Sequence, residues 1–493
     1  MISAILYGVS MLVLLAFGLN LLVLVVALVR DQRLIDGPVP KPGILPDLPD
    51  NPPVITVQLP IYNEALVAQR LIDACIELDY PKNRLEIQVL DDSDDETFDI
   101  VSERVEYWKK QGFDILHVHR DDRQGFKAGA LQNGLRIARG DYIAIFDADF
   151  IPPPFYLKRV LAGFSAPDIG VVQARWTHLN ESHSILTRLQ ALALDAHFMI
   201  EQRVRNLTGC YINFNGTAGM WRRDCIEDAG GWNADTLTED LDLSYRAQMK
   251  GWKFVFDETI EVPAELPVEI SGFRAQQFRW TKGAVQTARK LLPSFWRSEL
   301  PIAKKLEGTV HLTGYFVFPF VLLVALLHAP LVWFEQTGTG PGQWFFAACG
   351  IGLIGFAGFV ASQIFSQRDL HHDWLQRMMI MPVFVAGSMG MAVNNTRAIL
   401  EGLAGRKSPF VRTPKYNSTG ASGGHWWKSA YAGRSLSVEV FLEALMMIYS
   451  IVGLVVIIML GQWAAVPFQL LFALGFGLMA TYGVKHRVMA ARD

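Results

Sequence analysis

Tyr142-Ile143-Ala144-Ile145-Phe146-Asp147-Ala148-Asp149 is an apolar run that ends on two carboxylates separated by a single alanine. A short apolar run closed by polar residues reads as a buried strand, which places both carboxylates just past a strand end. Three similar runs precede it: Val54–Leu59, Leu85–Leu90 and Ile115–Val118. The stretches between them, Ala65–Leu78, Phe98–Lys110 and Gly125–Ala138, carry helical patterns. This alternation predicts an α/β fold, a mostly parallel sheet with helices on both faces. Ligands of such sheets bind at the carboxyl ends of the strands, so the residues after each run are the ones that matter for function.

Farther out, the chain changes character. It has 493 residues with a formal net charge of −3, which gives no broad electrostatic footprint for nucleic acid. Hydrophobic residues make up 51% and charged residues 19%, a mild apolar tilt that hides a split between the ends and the middle. Ser3 to Val29 holds no charged side chain and exceeds the roughly 20 residues that cross a bilayer. Arg30, Asp31, Arg33 and Pro38 follow it, and no basic start precedes it, so it reads as a retained anchor and not a cleaved signal peptide. Pro38 to Pro53 is rich in Pro and Asp, a linker that cannot continue the helix. Spanning runs return at Leu312–Phe334, Trp344–Phe365, Val438–Leu460 and Ala464–Val484, with a shorter one at Met378–Val393. If basic loops face the cytoplasm, the parity closes only with five spans and with 378–393 lying along or dipping into the inner face. The expected organisation is an anchor over 1–30, a linker over 31–53, a cytoplasmic domain over 54–292, and an interfacial segment over 293–311. A membrane region over 312–484 with a cytoplasmic loop at 405–435 and a tail over 485–493 complete it. The four cysteines, Cys75, Cys210, Cys225 and Cys349, form no C-x-x-C pair and no disulfide framework, which places the central region in a reducing compartment.

Each strand end carries polar residues with both a plain and a chemical reading. Pro60-Ile61-Tyr62-Asn63-Glu64 follows the first strand, where Asn or Glu commonly caps a helix. Asp91-Asp92-Ser93-Asp94-Asp95 follows the second, and such a cluster repels itself unless solvated or bound to a cation. Asp147 and Asp149, at i and i+2 in extended chain, can converge on one hard cation that holds a diphosphate. Thr238-Glu239-Asp240 precedes a helical stretch, where an N-cap with acids in the first turn accounts for it, as does a general base. Gln276-Gln277-Phe278-Arg279-Trp280 offers an Arg for phosphate oxygens and a flat ring for a sugar; alternatively Phe273 and Phe278 form the buried face of a surface helix.

In this order, P-x-Y-N-E, D-D-x-D-D, D-A-D, T-E-D and Q-x-x-R-W followed by spanning helices resembles the processive membrane-bound family 2 glycosyltransferases. Among these it is most similar to the cellulose synthase-like A and C mannan and glucan synthases. Lys127-Ala128-Gly129-Ala130-Leu131, Gln173-Ala174-Arg175-Trp176, Phe214-Asn215-Gly216-Thr217-Ala218-Gly219 and Gly230-Gly231-Trp232 match as well. The resemblance implies a GT-A type nucleotide-sugar-binding domain inserted between transmembrane helices. It implies that Asp91 and Asp92 hold the nucleoside, and that Lys127, Thr238 and Glu239 line the donor site. Asp147 and Asp149 would bind the diphosphate with Mg²⁺ or Mn²⁺, with Asp149 the direct ligand. Asp240 is the implied base. Gln276, Gln277, Arg279 and Trp280 would serve the leaving diphosphate and the acceptor, with Phe214, Asn215 and Gly216 lining the acceptor floor. Phe410, Val411, Arg412, Thr413 and Lys415 resemble the F-x-V-T-x-K gating loop of cellulose synthase, with Arg412 in place of Val and Pro414 preceding the Lys.

The expected function is therefore inverting transfer of a hexose, from GDP-mannose or UDP-glucose, to a growing β-linked polysaccharide that is moved across the membrane. The alternative is a lipid glycosyltransferase that adds one sugar to ceramide, diacylglycerol or a polyprenyl carrier. A transporter would carry charges inside its spans, and apart from Glu439, Glu443 and His328 these are nearly uncharged. Expected partners are the nucleotide sugar, the polysaccharide and the bilayer, with an accessory subunit or a second copy, and no nucleic acid. The expected location is a bacterial inner membrane.

Overall fold

The computed structural model describes residues 1–30, 47–408, 411–418, 426–429, 431 and 437–491. Most of the expected linker lies outside these residues.

Seven strands form one sheet: β1 (Ile55–Ile61), β2 (Leu85–Asp91), β3 (Ile115–His119), β4 (Tyr142–Ile145), β5 (Ile169–His178), β6 (Gly219–Arg222) and β7 (Lys253–Ala264), in the order β3-β2-β1-β4-β6-β5-β7. All neighbours are parallel except β6, which runs antiparallel to β4 and β5. The expected strands and the helices between them are present, at Ala68–Ile76, Thr97–Lys110 and Phe126–Ile137. Side-chain alternation explains the two-faced core. Ala144 and Phe146 pack with Ile55, Val57 and Leu59 on one side. Ile143 and Ile145 pack with Leu131 and Leu135 of the Phe126–Ile137 helix on the other. A strand buried on both faces needs an apolar residue at every position, and β4 has one.

β1 and β2 run in register from Ile55↔Leu85 to Ile61↔Asp91, so the P-x-Y-N-E and D-D-x-D-D segments leave the sheet side by side. Because β6 is antiparallel, its first residue, Gly219, pairs with the last of β4, Ile145, and the turn before it meets Asp147.

Beyond the sheet, a helix over Ile270–Arg297 runs on through Pro293, across the boundary expected at 292. Among the described residues, five helices are long and apolar enough to cross a membrane: Ile2–Arg30, Ile302–Gln336, Gln343–Leu370, Val438–Met459 and Trp463–Ala490. The first packs on the third through small residues. A Cβ on Gly18 would lie 2.2 Å from the Gly355 carbonyl oxygen, so only glycine permits the approach. The segment expected to stay on one face contains the helix Met381–Gly390, whose 10 residues are half of what a span needs. The acids within the Val438–Met459 helix have partners: Glu443 pairs with Arg274 of the long helix and Glu439 with Arg397. They tie helices together.

Candidate active site

A cleft of about 1260 Å³, open to solvent, lies over the carboxyl ends of β1, β2 and β4. Its centre is the D-A-D turn, where the Phe150 amide closes onto the Asp147 carbonyl at 3.0 Å. The Lys127 ammonium sits 2.5 Å from Asp147 Oδ1 and donates to the Gly216 carbonyl at 2.8 Å. Lys415 Nζ lies 2.6 Å from Asp149 Oδ2. Each carboxylate thus faces the cleft with a cation against it. Hard oxygen donors in such a place suit Mg²⁺ or Mn²⁺, so these residues fit a divalent ion. Burial first, and then proximity to Asp149 and Asp147, push the Glu64 carboxyl up to about 7 against the opposing pull of Arg412.

Beside the Gly216 turn stands Asp240, in the first turn of the Glu239–Met249 helix. The helix starts as the capping reading expects, with Glu239, Asp240 and Asp242 in its first turn, but the cap itself makes no side-chain bond. Thr238 occupies the N-cap position without a capping hydrogen bond, and its hydroxyl lies 3.3 Å from that of Thr287 on the long helix. Asp240 accepts from the Leu241 amide at 2.8 Å, which fixes the carboxylate. Burial and the neighbouring Glu239 carboxylate raise its pKa above the ordinary range, and Lys127 offsets only part of this. A carboxylate tuned upward in a cleft is suited to accept a proton.

At the other end of the cleft the paired aspartates diverge. Asp92 lines it, gripped by Arg120 at 2.8 and 2.5 Å. Asp91 is fully buried, taking hydrogen bonds from the Ser93 amide and His117 Nε2, both at 2.9 Å, and does not line the cleft. Tyr62 lines the wall, with the Arg123 guanidinium 3.2 Å over its ring. Gln276, Arg279 and Trp280 reach in from the long helix, while Gln277 does not. Asn215 and Gly216 form part of the floor, and Phe214 supports it from below, packed on Trp221 and Trp232.

Residues 52–283 match the family model described as "Glycosyltransferase like family 2". These residues carry a family 2 glycosyltransferase domain. Glucomannan 4-beta-mannosyltransferase 7 of Arabidopsis thaliana is 42% identical over 252 residues, 50% of this chain and 45% of the relative. Glucomannan 4-beta-mannosyltransferase 1 of Oryza sativa subsp. japonica is 40% identical over 284 residues, 56% of this chain and 54% of the relative. The chain thus spans about half the length of these curated relatives. Both are plant proteins and give no support to the bacterial inner membrane expected from the sequence. A solved structure, the Pyrobaculum calidifontis mannosyltransferase in complex with GDP-Man and Mn²⁺, aligns over 81% of this chain and 100% of its own, at 19% identity and a TM-score of 0.52. That likeness shows a shared fold.

Within the glycosyltransferase domain, Gly216 has a φ of +80°, and a Cβ there would lie 2.9 Å from Asp240 Oδ2. Gly216→Ala is accordingly expected to lower kcat by roughly 10²-fold or more, through backbone strain and a displaced Asp240 carboxylate. Steady-state kinetics on the folded variant checks this. Glu239→Gln removes the charge that raises Asp240. A base works only when deprotonated, so the rate falls as pH drops through its raised pKa, and this variant shifts that acid limb to lower pH. A pH profile of kcat/KM measures the shift.

The described part of the gating-like loop, 411–418, straps the cleft. Arg412 faces Glu64 at 3.7 Å, and Arg412, Thr413 and Lys415 line the wall. Glu265 Oε1 accepts from the Tyr416 amide at 2.9 Å, the Ser418 amide at 3.1 Å and the Ser418 hydroxyl at 2.8 Å. Phe410 lies outside the described residues. Glu265→Ala removes three hydrogen bonds from one loop, and hydrogen exchange over 411–418 is expected to speed up by at least tenfold. Glu64, Arg120, Arg123 and Glu265 were not singled out from the sequence. Glu64 stood inside a quoted motif but read as a cap, and the others carry no local signal.

Proposed function

We propose that the chain is an inverting hexosyltransferase that lengthens a β-linked polysaccharide from a nucleotide sugar and passes the product through its own membrane helices. The single observation that carries this is the convergence of D-A-D, T-E-D and Q-x-x-R-W on one cleft beside the helix that leads into the spans. The domain over 54–292, between the anchor 1–30 and the membrane region 312–484, faces the cytoplasm, where nucleotide sugars are made. GDP-mannose is the first donor to test, because the relatives are named glucomannan mannosyltransferases and the fold neighbour was solved with GDP-Man; UDP-glucose is the second.

Asp240 removes the proton of the acceptor hydroxyl. That oxygen bonds to the anomeric carbon as the bond to the diphosphate breaks, the electron pair leaves with the diphosphate, and the configuration inverts. Asp147 and Asp149 would hold Mg²⁺ or Mn²⁺, which when bound neutralises diphosphate charge. Arg279, Lys127 and Lys415 bring further positive charge to the same wall. Asp92, Arg123 and Tyr62 take the nucleoside end, and Trp280 offers its ring to the acceptor sugar.

The test is donor turnover by purified protein in nanodiscs, with Mn²⁺ and each of GDP-mannose, UDP-glucose, UDP-N-acetylglucosamine and UDP-galactose. Consumption of one hexose donor, lost in Asp240→Asn, is expected. Failure to consume any of them would contradict the proposal.

A further inference from the structure

The wall of the cleft next to the membrane helices holds a pair that the mechanism above leaves unused. β5 ends at His178, and strand alternation puts Trp176 and His178 on one face; both line the cleft. His178 Nε2 lies 3.0 Å from Asp195 Oδ1. Asp195 is 4% exposed, and its other oxygen accepts from Gln367 Nε2 at 2.8 Å, with His371 Nε2 at 3.5 Å. Burial raises the Asp195 pKa, yet hydrogen bonds from His178 and Gln367 and the nearby His371 ring bring it below the usual carboxylate range. An ionised acceptor at Nε2 places the ring proton there. Nδ1 makes no hydrogen bond among the described residues, and the His178 side chain, 7% exposed, borders the cleft. The Trp176 indole N–H beside it is buried and likewise without a partner among the described residues.

Position narrows what this pair can meet. β2, which ends at the nucleoside side, and β5 stand four strands apart in the sheet, roughly 19 Å at about 4.8 Å per strand. The helix that supplies Asp195, Ile185–Ala196, sends Leu194 into the cleft and packs Leu189 and Leu192 on Met381, Phe384 and Val385. Gln367 lies at the end of the third membrane helix. Under the polysaccharide reading, a product moving from Asp240 toward the membrane helices would pass this wall.

We propose that His178 is an acceptor-binding residue, its Nδ1 accepting a hydrogen bond from a hydroxyl of the growing saccharide while Asp195 fixes the ring and Trp176 covers a sugar face. This rests on the polysaccharide reading above. Under it, Asp195 is a positioning residue with no contact to sugar. The plain competitor is that Asp195 and His178 only tie β5 to the third membrane helix.

Two substitutions separate these. An asparagine side chain places a polar atom near the position of Nδ1, and a glutamine places one near Nε2. Product length from full-length protein in nanodiscs, at saturating donor and Mn²⁺, is the readout, together with donor KM. His178→Ala is expected to shorten the mean product roughly 3- to 10-fold, the range for loss of one hydrogen bond, with donor KM unchanged within twofold. His178→Asn should restore most of the length and His178→Gln should not. Rescue by Gln and not by Asn would overturn the inference in favour of the tie. Unchanged length in His178→Ala would overturn it outright. Wild-type protein that makes no polymer would overturn the functional reading and this inference with it.

Discussion

Asp240→Asn is expected to lower kcat by about 10³-fold while donor KM stays within threefold. The substitution keeps the shape of the side chain and its hydrogen bond from the Leu241 amide. It removes the ability to take a proton from the acceptor. Because the substitution leaves Lys127, Asp147 and Asp149 in place, nucleotide binding should survive, and titration calorimetry with the donor distinguishes lost chemistry from lost binding. A fall in kcat of less than tenfold would mean that another group acts as base. Glu239, also raised by burial, is the neighbouring carboxyl to examine next.

Asp149→Ala is expected to cost as much by a different route. Asp149 is 4% exposed, and its carboxylate faces a lysine supplied by the loop across the cleft. Removing it takes away one of the two hard ligands proposed for the ion and leaves Lys415 without its anionic partner. We expect Mn²⁺ affinity, followed by electron paramagnetic resonance of the free ion, to drop by at least tenfold, and kcat by roughly 10²- to 10⁴-fold. Asp149→Glu, which keeps the charge, should recover part of the Mn²⁺ affinity. Unchanged affinity in Asp149→Ala would place the ion elsewhere; Asp91, His117 and His119, whose ligand atoms lie within 4.8 Å of one another, form the other cluster among the described residues.

Sequence order carried most of the central fold because its signals are local. The first four strands alternate with helices of ordinary length, and each apolar run ends where a polar motif begins. The last three strands left a weaker trace. β6 is four residues long and antiparallel, so it breaks the strand–helix rhythm, and β5 joins β7 across 74 residues of chain in register terms that no local pattern encodes. The same distinction separates the site residues. Asp147, Asp149 and Asp240 stand in short motifs at element ends and were legible there. Asp91 and Asp92 are adjacent in sequence, and nothing in the sequence says that one turns into the cleft and the other under the sheet toward His117. Glu265 is silent until the loop 411–418 is folded over it, and His178 is silent until Asp195 and Gln367 meet behind it. Such contacts join residues tens to hundreds of positions apart, which motif spacing does not register.

The central claim is that this cleft builds a polymer. Its most direct test is the size of the saccharide that the purified protein makes in nanodiscs from the donor it consumes, with Mn²⁺, measured by size-exclusion chromatography and checked by digestion with a β-specific endoglycosidase. The account predicts a long, β-linked, digestible polymer that is absent with Asp240→Asn. A lipid-linked mono- or disaccharide as the sole product would contradict it.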